Sequence, residues 1–318
     1  MNKITRNKFI SKDYKDIHSK RNILISKAHP EIKDLFGPSI YTFYYAIFIV
    51  FLHLMIAYFI RSISIIPLLF IAYSIGGILS QNLFLINHDL SHNLAFRDIY
   101  YNKILAIFCN IPSLFPYALI FKQYHIDHHR SLGSDIDSDI PLEIEAKLFT
   151  KKLGKIIWYS NQILFYALRP MLIKPIKYDR FIYINIICIN ATNILLYYII
   201  SSKGILYLLL SFYFAGGLHP VSAHFISEHY ILPKDIELCK KTKLETYSYY
   251  GIMNLLTFNV GYHIEHHDFP NIASINLPKL RQIAPEYYTN IPIHKSWLSL
   301  IYQFIMDDAI SLFNRIKI

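Results

Sequence analysis

Two apolar runs, Tyr41 to Ile60 and Ile65 to Ile86, are separated only by Arg61 to Ser64. At 1.5 Å of rise per residue, about twenty helical residues cross a hydrocarbon core roughly 30 Å thick. Each run is therefore long enough for one crossing, and the short turn makes the pair an antiparallel hairpin. A second hairpin is expected from Phe181 to Ile200 and Gly204 to Leu218, joined by Ser201 to Lys203. An apolar content of 53% and a mean hydropathy of +0.29 suit a chain with several spans and exclude an average soluble domain.

Between the hairpins, Ile104 to Phe121 is apolar but interrupted by Pro112 and Pro116. Proline removes backbone donors and disturbs a helix, so an interfacial or re-entrant segment is expected there. Leu148 to Ile173 mixes Lys151, Lys152 and Lys155 with Trp158, Tyr159 and Phe165, the composition of an amphipathic helix lying in the interface. Of 32 Lys and Arg, only Arg61 and Lys203 fall in the two hairpin turns. The positive-inside rule then puts everything else outside the bilayer in the cytosol, both termini included. The formal net charge of +10 reads as attraction to anionic lipid head groups rather than to nucleic acid.

The histidines carry the chemistry. His125-Ile126-Asp127-His128-His129 and His263-Ile264-Glu265-His266-His267 each place histidines at i, i+3 and i+4, and His88-Asp89-Leu90-Ser91-His92 adds a pair at i and i+4. A helical turn presents such sets on one face. These clusters use eight of the fifteen histidines. A single zinc takes three or four ligands, so eight imidazoles point to two metals; neutral imidazole suits iron, copper, zinc and nickel, and spacing does not choose among them. Were Ile104 to Phe121 a crossing, His88 and His92 would lie across the bilayer from His125 to His129. A shared site thus requires that it does not cross.

The carboxylates Asp89, Asp127, Glu228 and Glu265 are candidate acceptors for the imidazole N–H groups. Asp268 reads equally as a further acceptor or as a solvated residue. His219, His224 and His229 follow the last span at five-residue spacing, which suits one ligand and two hydrogen-bonding residues. His18 and His29 read as surface residues, His53 as a packing or hydrogen-bonding group within its span, and His294 as structural. Cys109, Cys188 and Cys239 are too dispersed for a disulfide framework or zinc ribbon. The polar first forty residues read as neither a cleaved signal nor, with Asn2 in place of glycine, a myristoylated anchor. The expected organisation is a cytosolic segment over 1–39 and a membrane domain over 40–318. In fold class it is all-α and integral to the membrane, four transmembrane helices in two hairpins under a cytosolic helical cap that carries the histidine-rich di-metal site.

A redox metal pair at the membrane surface, reached by lipid, points to oxidation of an acyl or alkyl chain. An unactivated C–H bond needs an oxidant made from O2 and two electrons. The chain has no Gly-x-Gly-x-x-Gly fingerprint and no Cys-x-x-Cys-His haem attachment, so the electrons come from a partner.

The three boxes resemble those of membrane di-iron fatty-acyl desaturases and hydroxylases, and further segments resemble sphingolipid 4-desaturases more closely. These are His29-Pro30-Glu31-Ile32-Lys33, Phe121 to Arg130, His224-Phe225-Ile226-Ser227-Glu228-His229-Tyr230, Thr246 to Gly251, Asn254 to His263 and Met306-Asp307-Asp308. The likeness runs from about residue 13 to residue 315; it departs at the missing myristoylation glycine and at Leu238 to Lys243, which looks like a loop insertion. It implies two irons held by His88, His92, His125, His128, His129, His263, His266 and His267, O2 as co-substrate, and cytochrome b5 with its NAD(P)H reductase as electron source. Glu228-His229-Tyr230 is similar to a ligand motif of membrane alkane hydroxylases, which adds His229 as a ninth ligand. The implied reaction is C4–C5 dehydrogenation of dihydroceramide to ceramide in the endoplasmic reticulum membrane. The rivals are C4 hydroxylation, alone or alongside desaturation, and a non-enzymatic protein that binds zinc or lipid.

Overall fold

The computed structural model describes residues 7–12 and 17–318; Asn2 lies outside them. The chain is mostly helical. Its one small sheet among the described residues pairs Ser248–Tyr249 in parallel with Ile293–His294.

Three helices among the described residues are long and apolar enough to cross a membrane: Ile40–Ile60, Ile65–Ser91 and Arg180–Ser227. The first two are separated by the Arg61–Ser64 turn. Ile65–Ser91 is unbroken apart from a π-helical turn at Ala72–Gly76. There Gly76 lies so close to the last long helix that a Cβ would meet the Ser211 hydroxyl at 2.0 Å. Because this helix continues past its apolar stretch, it carries His88 in its final turn and His92 at its end as one rigid rod.

The long apolar element Arg180–Ala215 breaks at Ser201, whose φ of 62° no α-helix contains. Asn193, before the break, donates to the Leu114 carbonyl (2.9 Å), while Phe212, after it, packs on Phe115 with ring centroids 5.5 Å apart. In a straight helix residues 193 and 212 would stand roughly 28 Å apart. The chain therefore folds back at Ser201, beside the Arg61–Ser64 turn, where Arg61 donates to Ile199 O and Lys203 to Ile63 O. Buried His53 bonds Tyr207 (3.1 Å) and Ser80 (3.0 Å) and so links these helices. Each such bond contributes on the order of 1 kcal/mol.

The proline-interrupted segment forms Ile99–Ser113 and Ala118–Arg130, bent by 115°. The bend turns the second helix towards the end of Ile65–Ser91 and brings His125, His128 and His129 beside His88 and His92.

The stretch read as one amphipathic helix is two, Lys152–Ser160 and Gln162–Ile173; Lys151 and Lys152 are exposed, but Lys155 turns inward. Lys155 is fully buried and donates to Asp307 O and Ile310 O, both at 2.9 Å. Buried Arg169 grips Glu145 with two bonds (2.9 and 2.7 Å), and Trp158 donates to the same carboxylate (2.6 Å). Leu153, Ile156, Ile157, Leu164, Leu168 and Leu172 face outward. A helix pair with Lys155 and Arg169 satisfied inside and its leucines outside presents an apolar face to its surroundings. Removing one partner of such a buried ion pair costs about 3–5 kcal/mol.

Candidate metal centre

The nine histidines expected as ligands converge, and the described residues sort them into two adjoining groups. His88, His92, His125, His129 and His266 place ring nitrogens within 4.8 Å of one another. His128, His229 and His267 form a second set by the same measure, and His263 joins His229 and Glu228 beside it. His129 and His267 stack at 4.3 Å across the boundary.

Local chemistry fixes each contributor. The short helix His263–Asp268 has too few turns to hold its own orientation, so side chains clamp it. Buried Glu265 accepts from Ser248 Oγ and Tyr250 OH, both at 2.7 Å, and Ser248 Oγ accepts from the Ile264 N–H. Burial, only partly offset by those donors, pushes the Glu265 carboxyl up to about 7. Upstream, Asn254 accepts from the Gly261 N–H and donates to Tyr249 O (2.9 and 2.6 Å). A Cβ on Gly261 would meet that same carbonyl at 2.4 Å, so only glycine lets the chain pass into the third box.

The carboxylates take several roles. Asp268 accepts from His18 Nδ1 (2.7 Å) and the Arg21 guanidinium (3.0 Å), and Asn22 donates to its carbonyl. Asp89 accepts from Ser274 N–H and Oγ, with its oxygen 4.0 Å from His88 Nδ1. Asp127 turns outward to Lys174, and Glu265 serves Ser248 and Tyr250; neither takes an imidazole N–H. Glu228 lies 3.7 Å from His263 Nδ1. Sequence reasoning missed Asp137, whose carboxylate accepts from His128 Nδ1 at 2.8 Å. That bond commits the His128 proton to Nδ1 and frees the Nε2 lone pair to face His229 Nε2, 3.1 Å away. Against the burial that favours its neutral form, His128, Arg315 and the Gly133 N–H hold the Asp137 carboxyl below the usual carboxylate range.

His18 corrects the surface reading. It is 3% exposed, donates or accepts at both nitrogens (Asp268 and, at 3.0 Å, Thr246 Oγ1), and its ring lies 5.1 Å from that of His267. His29 remains at the surface with Glu31 and Glu286. His219 accepts the Val221 N–H and packs on Tyr73, His224 sits between Gln81 and Val221 O, and His294 stacks on Tyr247.

These residues fit a metal pair on chemistry alone. Nε2 atoms face one another at 2.8 Å (His92 and His125), 3.0 Å (His266 and His129) and 3.0 Å (His263 and His229), although a neutral imidazole has only one proton to share between its two nitrogens. Among the described residues, the buried His267 Nε2 has no hydrogen-bond partner. Burial and neighbouring imidazoles hold His263, His266 and His267 well below the ordinary imidazole value, so they present lone pairs at neutral pH. Metal binding requires that neutral form.

A cavity of about 320 Å³ opens onto the centre. Phe84, Phe121, Phe212, Phe225, Ile163 and Met171 line its apolar length, and His88, His125, His128, His229 and His263 line its inner wall with Ser138, Asp139 and Glu228.

Fold and site together define a mostly helical protein with helices long and apolar enough to cross a membrane and two adjoining histidine clusters, compatible with bound metal, at the end of an apolar cavity. The model of the fatty acid desaturase family matches residues 63–297. The chain is 44% identical over 301 residues to a sphingolipid delta(4)-desaturase DES1-like protein of Oryza sativa subsp. japonica, covering 94% of this chain and 89% of that one. It is 44% identical over 309 residues to a sphingolipid delta(4)-desaturase of Komagataella phaffii (95% and 86%) and 41% over 303 residues to sphingolipid delta(4)-desaturase DES1 of Homo sapiens (94% and 91%). The chain belongs to the fatty acid desaturase family and is an oxidoreductase of the desaturase class.

Proposed function

We propose that this enzyme desaturates dihydroceramide between C4 and C5 of its sphinganine chain to give ceramide, using two irons and O2. The observation that carries the reading is the junction of metal centre and cavity: five of the nine histidines wall the inner end of an apolar slot. The relatives named as sphingolipid delta(4)-desaturases supply the substrate class.

His88, His92, His125, His129 and His266 would hold one iron, and His128, His229, His263 and His267 the other. When bound, the pair supplies the oxidising power that removes two hydrogens from unactivated carbon. The protein does the rest. Aromatic walls hold the alkyl chain against the centre and keep water away, which confines reactive oxygen species to the substrate. Asp137 keeps His128 in one tautomer. Burial, and then the charge of Asp139, push the Glu228 carboxyl well above its usual range, so it holds a proton beside His263.

The setting belongs to the same reading. Four spans in two hairpins, the break at Ser201 supporting the second, would put the centre and both termini on the cytosolic side of the endoplasmic reticulum membrane. Cytochrome b5 and its reductase would deliver electrons there. The test supplies dihydroceramide, b5, reductase and NADH to the purified protein and reads products by mass spectrometry. A 4-ene product is expected. Only 4-hydroxy product, or none with iron loaded, would overturn the proposal.

A further inference from the structure

In dihydroceramide the reacting C4 is bonded directly to C3, which carries a hydroxyl. Any group that hydrogen-bonds that hydroxyl must sit within about 5–6 Å of C4, given O–H···O distances of about 2.7–2.8 Å. The recognition site for this substrate's polar end therefore lies inside the cavity beside the metal centre. This constraint rests on the function proposed above.

The cavity wall offers one group built for that task. Asp139 lines the same cavity as His128, His229 and His263. Its Oδ2 accepts from Arg315 Nη1 at 2.8 Å, and among the described residues its Oδ1 has no hydrogen-bond partner. Its side chain keeps 25% of its exposure although Arg315 beside it keeps only 3%. The backbone beneath it is pinned from several directions. Arg169 Nη1 donates to Ser138 O (3.2 Å) and Asp139 O (3.3 Å), and the Asp139 N–H donates to Asp137 Oδ1 (3.0 Å). That Asp137 oxygen is the one that accepts from His128 Nδ1. One carboxylate thus ties the position of Asp139 to that of an imidazole at the metal centre.

We infer that Asp139 Oδ1 accepts the hydroxyl on the carbon next to the reacting pair, and so selects hydroxylated sphingoid chains over plain acyl chains and sets which C–H bonds face the metals. The chemistry matches: the substrate's polar end carries O–H and amide N–H donors, and the wall presents an anionic acceptor. Buried Arg169 and Arg315 stand behind the acceptor and fix it. A preorganised charged acceptor of this kind is the sort of group whose loss costs roughly tenfold to a hundredfold in kcat/KM.

The test compares dihydroceramide with its 3-deoxy analogue, using iron-loaded full-length enzyme with b5, reductase and NADH. Asp139→Asn keeps an oxygen for Arg315 while replacing the unpartnered acceptor with an NH2 group; Asp139→Ala removes both. Wild type is expected to lose roughly tenfold to a hundredfold in kcat/KM on the deoxy analogue. Both variants should lose a similar factor on dihydroceramide and less than about twofold more on the analogue, with some double bond displaced from C4. Equal losses on both substrates in the asparagine variant, whose iron content and melting temperature verify its fold, would overturn the inference even if the alanine variant does not fold. A wild-type enzyme that desaturates a plain acyl chain but not dihydroceramide would instead overturn the proposed substrate.

Discussion

The two halves of the histidine cage are built differently. Among the described residues, none of the five imidazoles around His92 and His125 hydrogen-bonds a carboxylate; the nearest, Asp89, spends its oxygens on Ser274. The four around His229 have Asp137 on His128 and Glu228 beside His263. One half relies on the number of ligands and the stiffness of two helices. The other has fewer imidazoles, and one of them, His128, gains basicity from the Asp137 carboxylate behind it. If each half holds the iron proposed for it, the two positions are expected to differ in affinity and in their response to substitution.

The largest effect should come from removing a ligand in either half. His266→Ala and His128→Ala are each expected to abolish turnover while the protein still inserts and folds, read by product formation and circular dichroism. Retained turnover in one of them would show that its half of the cage is dispensable. Next, Asp137→Asn should weaken metal binding at the second position by about 10- to 100-fold, bringing iron towards one per chain. Asp89→Asn should leave iron content near that of wild type and lower the melting temperature through Ser274. Equal metal loss in both would erase the contrast.

Acidification sharpens the comparison from another side. His229, His263, His266 and His267 are held well below the ordinary 6.5 by burial, with neighbouring charges adding to it. The unfolded chain therefore binds protons first as pH drops. Stability of the metal-free protein should be full above about pH 6.5 and decline below it, measurable as a falling melting temperature between pH 7.5 and 5.5. A flat profile would mean that these rings are not buried as neutral groups. The smallest effect belongs to Asp127→Asn, which loses only a surface pair with Lys174 and should change stability by no more than about 1 kcal/mol in a denaturation series.

The legible part of this site was the part with a period. Histidines at i, i+3 and i+4 must share a face, and a helix running on from a membrane span must carry its last residues rigidly, so the fold gathers the eight box imidazoles; the ninth, His229, was named from a motif resemblance and not from a period. Asp137 lies in the loop after Arg130, where no periodicity aims a side chain. His18 reaches Asp268 across 250 positions, a contact that no local pattern encodes. Asp127 shares a helix with three box histidines yet points away from them, because a residue between i and i+3 leaves the ligand face. Lys155 illustrates the same limit in the fold. Its charge suggested a wet face, but two carbonyls near the C-terminus satisfy it inside, which leaves the leucines to face outward.

Iron stoichiometry tests the central claim most directly. Metal analysis of protein purified anaerobically is expected to give about two irons per chain, falling towards one in Asp137→Asn. A wild-type protein that saturates at one iron, or that binds none after anaerobic reconstitution, would contradict a cage built for a pair.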